Sequence, residues 1–328
     1  MRRARRVLVT GAGGFIGGVV TERLSAAGHQ VTALVRNPRS AAGLPAGVEP
    51  AVADLLDPAE LAAAGIGRGF DAVCHLGALT RVRDSRREPV RYFAVNVGGT
   101  VNLLEALGRG ADRTGVAPII VFASSCAVYG NGSDTPIPET ALPLPNHPYG
   151  ASKFAAEQVI AHLAETGRVG AVLLRSFNVA GAVATHQDRD PTRLLPAALA
   201  AAAGLTDAVD VNGDGSVVRE YLHVADLADA YVAAVATGRP GRARVYNVGS
   251  GVGVSVNEVL ASVERVTGRE VPRRIRPPAT EPRTLVSDSV RARTELRWSS
   301  PRSRIDDIVS DAWEAMRSTR PTTAATTT

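Results

Sequence analysis

Residues 5–28, RRVLVTGAGGFIGGVVTERLSAAG, join an apolar run with no polar alternation to a glycine-rich turn and then to a segment of helical periodicity. A strand that is apolar at every position has both faces covered, the condition of a strand in a parallel sheet flanked by helices. The rhythm recurs: QVTALVR (30–36), FDAVCHLGA (70–78) and APIIVFASS (117–125) read as strands, and VNVGGTVNLLEALGR (95–109) as a helix between them. Alternation of this kind, with right-handed crossovers, predicts the α/β class and a doubly wound parallel sheet.

After VGAVLLRSFNVAG (169–181) the rhythm breaks into a Pro- and Asp-containing loop at QDRDPTR, an Ala-rich helix at LLPAALAAAAGL and a turn-dense VNGDGS. This marks entry into a smaller lobe. A strand and helix return at 245–268, followed by the Pro/Arg-rich VPRRIRPPATEPR and a helical ending through IDDIVSDAWEAMRS. The expected division is a main domain of 1–177 with 217–248, a lobe of 178–216 and 249–318, and a disordered tail, 319–328, that lacks apolar content.

Bulk properties exclude several classes. With 328 residues, 45% of them hydrophobic, the chain can bury a large core. Its formal charge of +5 is scattered rather than gathered into a stripe with aromatics, so nucleic acid is not an expected partner. No apolar window is long enough for a membrane span, and the run after MRRARR reaches a Thr-Gly turn too early for a signal peptide. Two cysteines, Cys74 and Cys126, give neither a disulfide framework nor a metal cluster, so a reducing cytoplasm and no metal are expected.

Gly11, Gly14 and Gly17 stand where the first strand passes into the first helix, with Phe15 and Ile16 between the last two. A backbone that must turn sharply, approach a pyrophosphate and pack a helix close to its strand needs residues without Cβ, and a helix N-terminus offers free amides to an anion. A dinucleotide is therefore the expected cofactor. Its kind depends on the end of the second strand, where an acid indicates NAD and an arginine NADP. Here Arg36 stands there, which leans the reading to NADP over NAD, while Asp54 and Leu55 after VEPAVAD lie well placed to meet the adenine or, equally, to form a solvated loop.

Tyr149 and Lys153 lie four positions apart in HPYGASKFAAE, a spacing that puts both on one helical face. They are an acid/base pair or two polar groups in water, and the motifs before them favour chemistry. TGAGGFIG, CHLGA, NVGGT, FASSCAVYG, YGASK, RSFNVAGA, VREYLHVADLADA and YNVGSG occur in order along nearly the whole chain. In these the sequence resembles the extended short-chain dehydrogenase/reductases, in particular the UDP-glucose 4-epimerase-like nucleotide-sugar enzymes.

The resemblance implies a Rossmann-type domain with a smaller C-terminal α/β substrate lobe, and a homodimer through the helices carrying NVGGT and YGASK. It implies Tyr149 as acid/base, Lys153 as its electrostatic partner and Ser125 as the hydroxyl partner, with Leu76, Gly77, Ala78 and Asn96 at the cofactor and Cys126, Asn178 and Arg219 at the substrate. Bringing a tyrosine from its ordinary pKa of about 10 down to about 7 takes roughly 4 kcal/mol, and the expectation is that Lys153, Ser125 and an oxidised nicotinamide supply it.

Two departures qualify the substrate, the missing acid after the second strand and a changed turn near the end of the chain. The family's R-x-G-D-like turn reads IRPPATEPRTLVSD here, so Arg276 or Arg283 would take the phosphates from a shifted position, with Glu281 near the acid. The arginines of TRVRDSRREPVR face an acidic substrate or, beside Asp84 and Glu88, water; His75 and His223 are expected in structural roles, and Asp226 as a helix cap. The leading reading is a UDP-hexose 4-epimerase acting through a transient 4-keto sugar. The alternative is an NADPH-dependent ketoreductase of a 4-keto-deoxysugar or other small carbonyl compound.

Overall fold

The structure, a computed structural model, describes residues 4–131, 136–279 and 282–319. The expected disordered tail, beyond Thr319, and Glu281 lie outside the described residues. Seven strands form one sheet: β1 (Arg6–Thr10), β2 (Gln30–Val35), β3 (Glu49–Val52), β4 (Ala72–His75), β5 (Ile119–Ser125), β6 (Gly170–Ser176) and β7 (Ala243–Val248). Their order is β7-β6-β5-β4-β1-β2-β3, and every neighbouring pair is parallel.

The unbroken apolar runs are explained by two cores. Val7 and Val9 enter the core on one face of the sheet, and Leu8 between them enters the core on the other. Ile119 and Val121 against Ile120 and Phe122 do the same from β5. Each such side chain contributes about 1.5–3 kcal/mol when fully buried, so a polar residue at either parity is costly. The first face is covered by α1 (Phe15–Ala26), through Val19, Val20 and Leu24. The second takes Leu61 of α2 (Pro58–Ala63).

Two short helices, α3 (Val82–Arg87) and α4 (Pro89–Phe93), follow β4. A π-helical stretch, Ala94–Gly98, then leads into α5 (Gly99–Thr114), which with α6 (Pro148–Glu165) completes the second face. A separate apolar cluster gathers around α7 (Leu194–Ala202), joined by α9 (Val256–Thr267) and α11 (Ile305–Ser318). Between α7 and α9 runs α8 (Val224–Thr237), which packs on the first face with α1; the short α10 (Val290–Glu295) adds Ala292 to that face.

One local expectation is corrected. The cap of α8 is His223, whose Nδ1 accepts from Ala225 N–H at 3.0 Å. Asp226 stands in the first turn and is turned instead to the 302–303 loop, accepting from Ser303 Oγ at 2.6 Å and from Arg302 N–H at 3.0 Å.

The junction of β1 and α1 has the tightest backbone approach that bears on the site. Gly11 has φ +70°, and a Cβ built on Gly17 would lie 2.1 Å from the Gly11 carbonyl oxygen. Both partners are backbone, so neither can yield without moving β1 or α1. Gly17→Ala is expected to destabilise the fold by about 1–3 kcal/mol or more, the scale of overpacking. Urea denaturation of the variant beside wild type checks this, and equal midpoints would contradict it.

Candidate active site

The carboxyl end of β5 delivers Ser125 to one edge of a cleft, and the chain then tightens into a 3-10 turn, Cys126–Tyr129, with Ser125 Oγ accepting from Ala127 N–H at 3.2 Å. Helix α6 starts against that turn. His147 caps it, its Nδ1 accepting from Gly150 N–H at 3.1 Å, and Pro148 occupies the first position, where a missing N–H costs nothing. A Cβ on Gly150 would stand 2.4 Å from the Ala127 carbonyl oxygen, so the glycine permits the contact that brings Tyr149 beside Ser125.

Tyr149 is buried and lines one cavity with Ser125, whose hydroxyl is near enough to favour the phenolate. The His147 ring lies parallel to it with centroids 6.0 Å apart, and Tyr92 meets it edge-on at 6.5 Å. Burial pushes the phenol up to about 12, opposed first by the Ser125 hydroxyl and more weakly by the charge of Arg193. The lowered phenol was expected with an oxidised nicotinamide beside Lys153 and Ser125; among the protein's own groups, desolvation of the phenolate exceeds what they return.

Lys153, one helical turn on, is 2% exposed, with Nζ 4.6 Å from the centroid of the Phe122 ring. Burial brings its ammonium down to about 7 against the opposing charge of Glu157. His75 is close enough to feel that ammonium and is itself held at about 3, chiefly by burial. It is therefore a neutral imidazole, fixed between Thr10 Oγ1 at 2.7 Å and Thr100 Oγ1 at 2.9 Å. Cys126, pushed up to about 12 by burial, stays a thiol.

The expected cofactor residues gather at the carboxyl ends of β1 to β4. Gly14 caps α1 without a side chain, and its N–H donates to the Gly11 carbonyl at 3.0 Å, leaving Phe15 and Ile16 as the first residues of the helix. Leu76 and Gly77 both donate N–H groups to Thr10 Oγ1, at 3.1 and 2.9 Å, and Ala78 follows. Arg36 is exposed just past β2. Asp54 accepts from Leu56 N–H at 2.9 Å, and the carbonyl of Leu55 accepts from Asn102 Nδ2 at 3.0 Å. A crevice walled by Cβ-free backbone at a helix N-terminus fits a dinucleotide pyrophosphate. Asn96, inside the π-helical stretch, is spent on positioning: its amide exchanges hydrogen bonds with the Leu79 backbone at 2.8 and 3.0 Å and donates to Ser152 Oγ of α6 at 2.9 Å.

On the other side, a cavity of about 1260 Å³ is lined by Ser125, Cys126, Tyr149, Asn178 and Arg219 together. Asn178 Nδ2 donates to the Glu220 carbonyl at 3.0 Å, and Arg219 Nη1 to the Val218 and Pro282 carbonyls at 2.8 and 2.9 Å. Arg276 is not brought there. Its strand, Arg273–Arg276, pairs in parallel with Val209–Asn212, and its Nε sits 3.2 Å from Asp210, so the expected phosphate contact is replaced by an exposed ion pair. Arg283 does not line the cavity either.

Sequence reasoning missed the support of α6. Glu157, four positions after Lys153, takes Arg175 Nε at 2.9 Å and Nη2 at 2.6 Å and also accepts from Ser124 Oγ; Arg175 Nη1 donates to Tyr129 Oη at 2.9 Å. The repeat of four from Tyr149 through Lys153 to Glu157 was the available signal. Glu157→Gln leaves the Arg175 charge buried and unmatched, which is expected to cost about 3–5 kcal/mol. Chemical denaturation reads that loss, and a change below about 1 kcal/mol would show that the pair carries little of the packing.

Comparison with known proteins is consistent along the chain. Residues 7–249 match the NAD dependent epimerase/dehydratase family. The sequence is 40% identical over 321 residues to a UDP-glucose 4-epimerase of Streptomyces lividans, covering 94% of this chain and 95% of that one. Among solved structures it is similar to the UDP-glucose 4-epimerase of Stenotrophomonas maltophila with bound NAD and formylated UDP-arabinopyranose, at TM-score 0.87 and 34% identity over 96% of this chain and 98% of that one. It is similar also to that of Bifidobacterium longum in complex with NAD+ and UDP, at TM-score 0.84 and 30% identity over 96% and 98% of the two chains. With the glycine turn, the Tyr149 and Lys153 helix and this match over most of its length, the chain belongs to the NAD-dependent epimerase/dehydratase family.

Proposed function

We propose that this protein is an NAD-dependent 4-epimerase of a UDP-linked hexose. The observation that carries the reading is the buried Tyr149 phenol, lining with Ser125 a cavity large enough for a nucleotide sugar beside the glycine turn. Asn178 and Arg219 supply the polar end for a diphosphate, and Ser125 with Tyr149 the end that handles the sugar. Bound NAD would take the hydride from C4 and, while oxidised, add a positive charge beside the phenol.

The acid/base step rests on this chain's own groups. From about 12, bringing the phenol to neutrality takes about 7 kcal/mol. A single cation at about 4 Å, in an effective dielectric of about 20, supplies about 4 kcal/mol. The protein's own charges are already contained in that value, so the phenolate forms only with a further positive charge beside it. That ties proton removal to the oxidised state of the cofactor. Tyr149 Oη takes the C4 hydroxyl proton as the carbon becomes a ketone, Ser125 holds the C4 oxygen, and Tyr149 returns the proton when C4 is reduced from its other face.

For the cofactor, NAD is preferred over the NADP suggested by Arg36, since the solved relatives hold bound NAD. Arg36, exposed beyond β2, is the one observation on the side of an NADPH-dependent reductase. Helices α5 and α6, with a cavity of about 530 Å³ between them, are proposed as the face of a homodimer. The free, buried Cys74 and Cys126 suit a reducing cytoplasm.

Denaturing the purified protein and identifying the released dinucleotide tests the cofactor: retained NAD supports an epimerase, whereas an empty site that binds NADPH tightly supports the reductase. Tyr149→Phe is expected to lower kcat for UDP-glucose or UDP-galactose at least about a hundredfold, the scale of a lost acid/base group, while retaining NAD. Near-normal turnover by that variant would overturn the assignment.

A further inference from the structure

The first turn of α6, which carries Tyr149, is held at its start by one residue. Pro148 has no N–H, the Ala151 N–H donates to the His147 carbonyl at 3.1 Å, and the Gly150 N–H donates to His147 Nδ1 at 3.1 Å. His147 thus closes two of the turn's donors, one with its backbone and one with its imidazole. A ring nitrogen that accepts a hydrogen bond carries no proton, so the cap requires the neutral ring with its proton on Nε2.

The same ring bears on the phenol directly. It lies parallel to Tyr149, with 9° between the planes and 6.0 Å between centroids, and Tyr92 meets the phenol edge-on from another side. At Gly150 the helix touches the Ala127 carbonyl, in the turn that follows Ser125, with no room for a Cβ. The bond from Gly150 to Nδ1 therefore fixes the helix end where it meets the segment of the serine. His147 is half-buried and lines the cavity, so its ring exchanges protons with solvent.

One proton separates the capped from the uncapped helix. A protonated Nδ1 is a donor set against the Gly150 N–H, and an imidazolium adds positive charge at a helix N-terminus, the end that favours anions. Helix α3 contributes Arg83, Arg86, Arg87 and one acid, Asp84, to the wall of the cavity that His147 lines. Tyr92, Tyr149 and the Cys126 thiol, all raised chiefly by burial, are neutral at pH 7, and the charge of Arg193 acts on the phenol. Burial and, after it, the charge of Arg86 hold the imidazole below its ordinary 6.5. The neutral, capping ring therefore prevails at neutrality, and the imidazolium forms only as the pH falls below 6.5.

Taking Tyr149 as the acid/base group of the reading above, we infer that His147 is its positioning residue, and that protonation of the imidazole uncaps α6, displaces the phenol from Ser125 and lowers turnover on the acid side. His147 acts through the helix that it caps and not on the reacting carbon. A hydroxyl or an amide in its place would cap at every pH, whereas histidine makes the geometry of the site depend on a proton.

The test uses the NAD-loaded protein as purified and follows conversion of saturating UDP-galactose from about pH 5 to about pH 9 in wild type, His147→Ala and His147→Asn. Alanine removes the cap, and the asparagine side chain supplies one that does not titrate. At about pH 8, His147→Ala is expected to lower kcat about 5- to 30-fold, the range of a full N-cap, with KM changed less than about threefold, while His147→Asn keeps kcat within about twofold of wild type. The ratio of His147→Asn to wild-type kcat should be flat above about pH 7 and rise at least about threefold below it, since the titrations of Lys153 and Tyr149 are common to both proteins and cancel. In an Arg86→Gln background the same rise should begin at higher pH, because without the neighbouring cation the imidazole takes its proton sooner. Full activity in His147→Ala, an equal loss in His147→Asn, a ratio that does not change with pH, or a rise that ignores Arg86→Gln each overturn the inference and leave the epimerase reading standing. If wild type converts no UDP-hexose, the epimerase reading fails, and hydrogen–deuterium exchange of the 147–153 segment still decides the inference: protection that falls below about pH 6 in wild type relative to His147→Asn supports it, and a constant ratio of protection overturns it.

Discussion

The ion pair of Glu157 and Arg175, with side chains 1% and 5% exposed, holds the reacting helix to the sheet. Glu157 lies on α6, Arg175 on β6, and Ser124 on β5 donates to the same carboxylate. Tyr129 extends the network, accepting from Arg175 and donating to Asn247 Oδ1 at 2.7 Å, while Asn247 Nδ2 reaches the Ile137 carbonyl at 2.7 Å. Three neighbouring strands and one helix are thereby fixed in a single register of polar contacts. Replacing a buried pair of this kind by apolar groups is often neutral for stability, so its physical contribution is geometric. An apolar contact tolerates a sliding helix, whereas a bidentate guanidinium and carboxylate do not.

The same pair acts on the charge of Lys153. Burial against Phe122 brings the ammonium down, and Glu157 is what opposes it. His75 in its Thr10 and Thr100 clamp stays neutral, so it adds no second cation beside the lysine. The site is dry and nearly balanced: a lysine poised about neutrality, a phenol held far above it and an imidazole that does not compete. Such opposed shifts within a few residues are the arrangement in which a modest change in local charge moves a proton.

How much of this the sequence disclosed follows from which forces are local. The strands were legible because a parallel sheet between two cores demands apolar residues at both parities, as Val7, Leu8 and Val9 show. Gly11 and Gly17 were legible because the close backbone approach excludes every other residue type. Ser125 and Tyr149 were named from motifs that lie in order along the chain, and both line one cavity. What escaped depended on partners distant in sequence. Arg276 was expected on a phosphate, but strand pairing with Val209–Asn212 places Asp210 against it. Asp226 had the local pattern of a cap, yet the 302–303 loop claims its carboxylate. The strength of the desolvation acting on the phenol escaped because burial is a property of the packed molecule and not of a four-residue spacing.

The arginines show the same limit from the other side. In TRVRDSRREPVR each arginine has an acid within a few positions, and local reasoning gives a solvated, self-neutralised surface. In the fold Asp84 is 3.9 Å from Arg81, while the closer partner, at 3.2 Å, is Asp190 from a loop about a hundred residues later. That contact brings α3 and the 188–193 loop to the same cleft, where arginines outnumber aspartates. Surface pairs of this strength are worth little as stability, about 1 kcal/mol or less. Their effect is to collect charge where a ligand enters and to hold it oriented. The glycine turn and the Tyr149 helix constrain the chemistry, and the arginine wall, which has no motif, brings positive charge to the same cleft only through contacts distant in sequence.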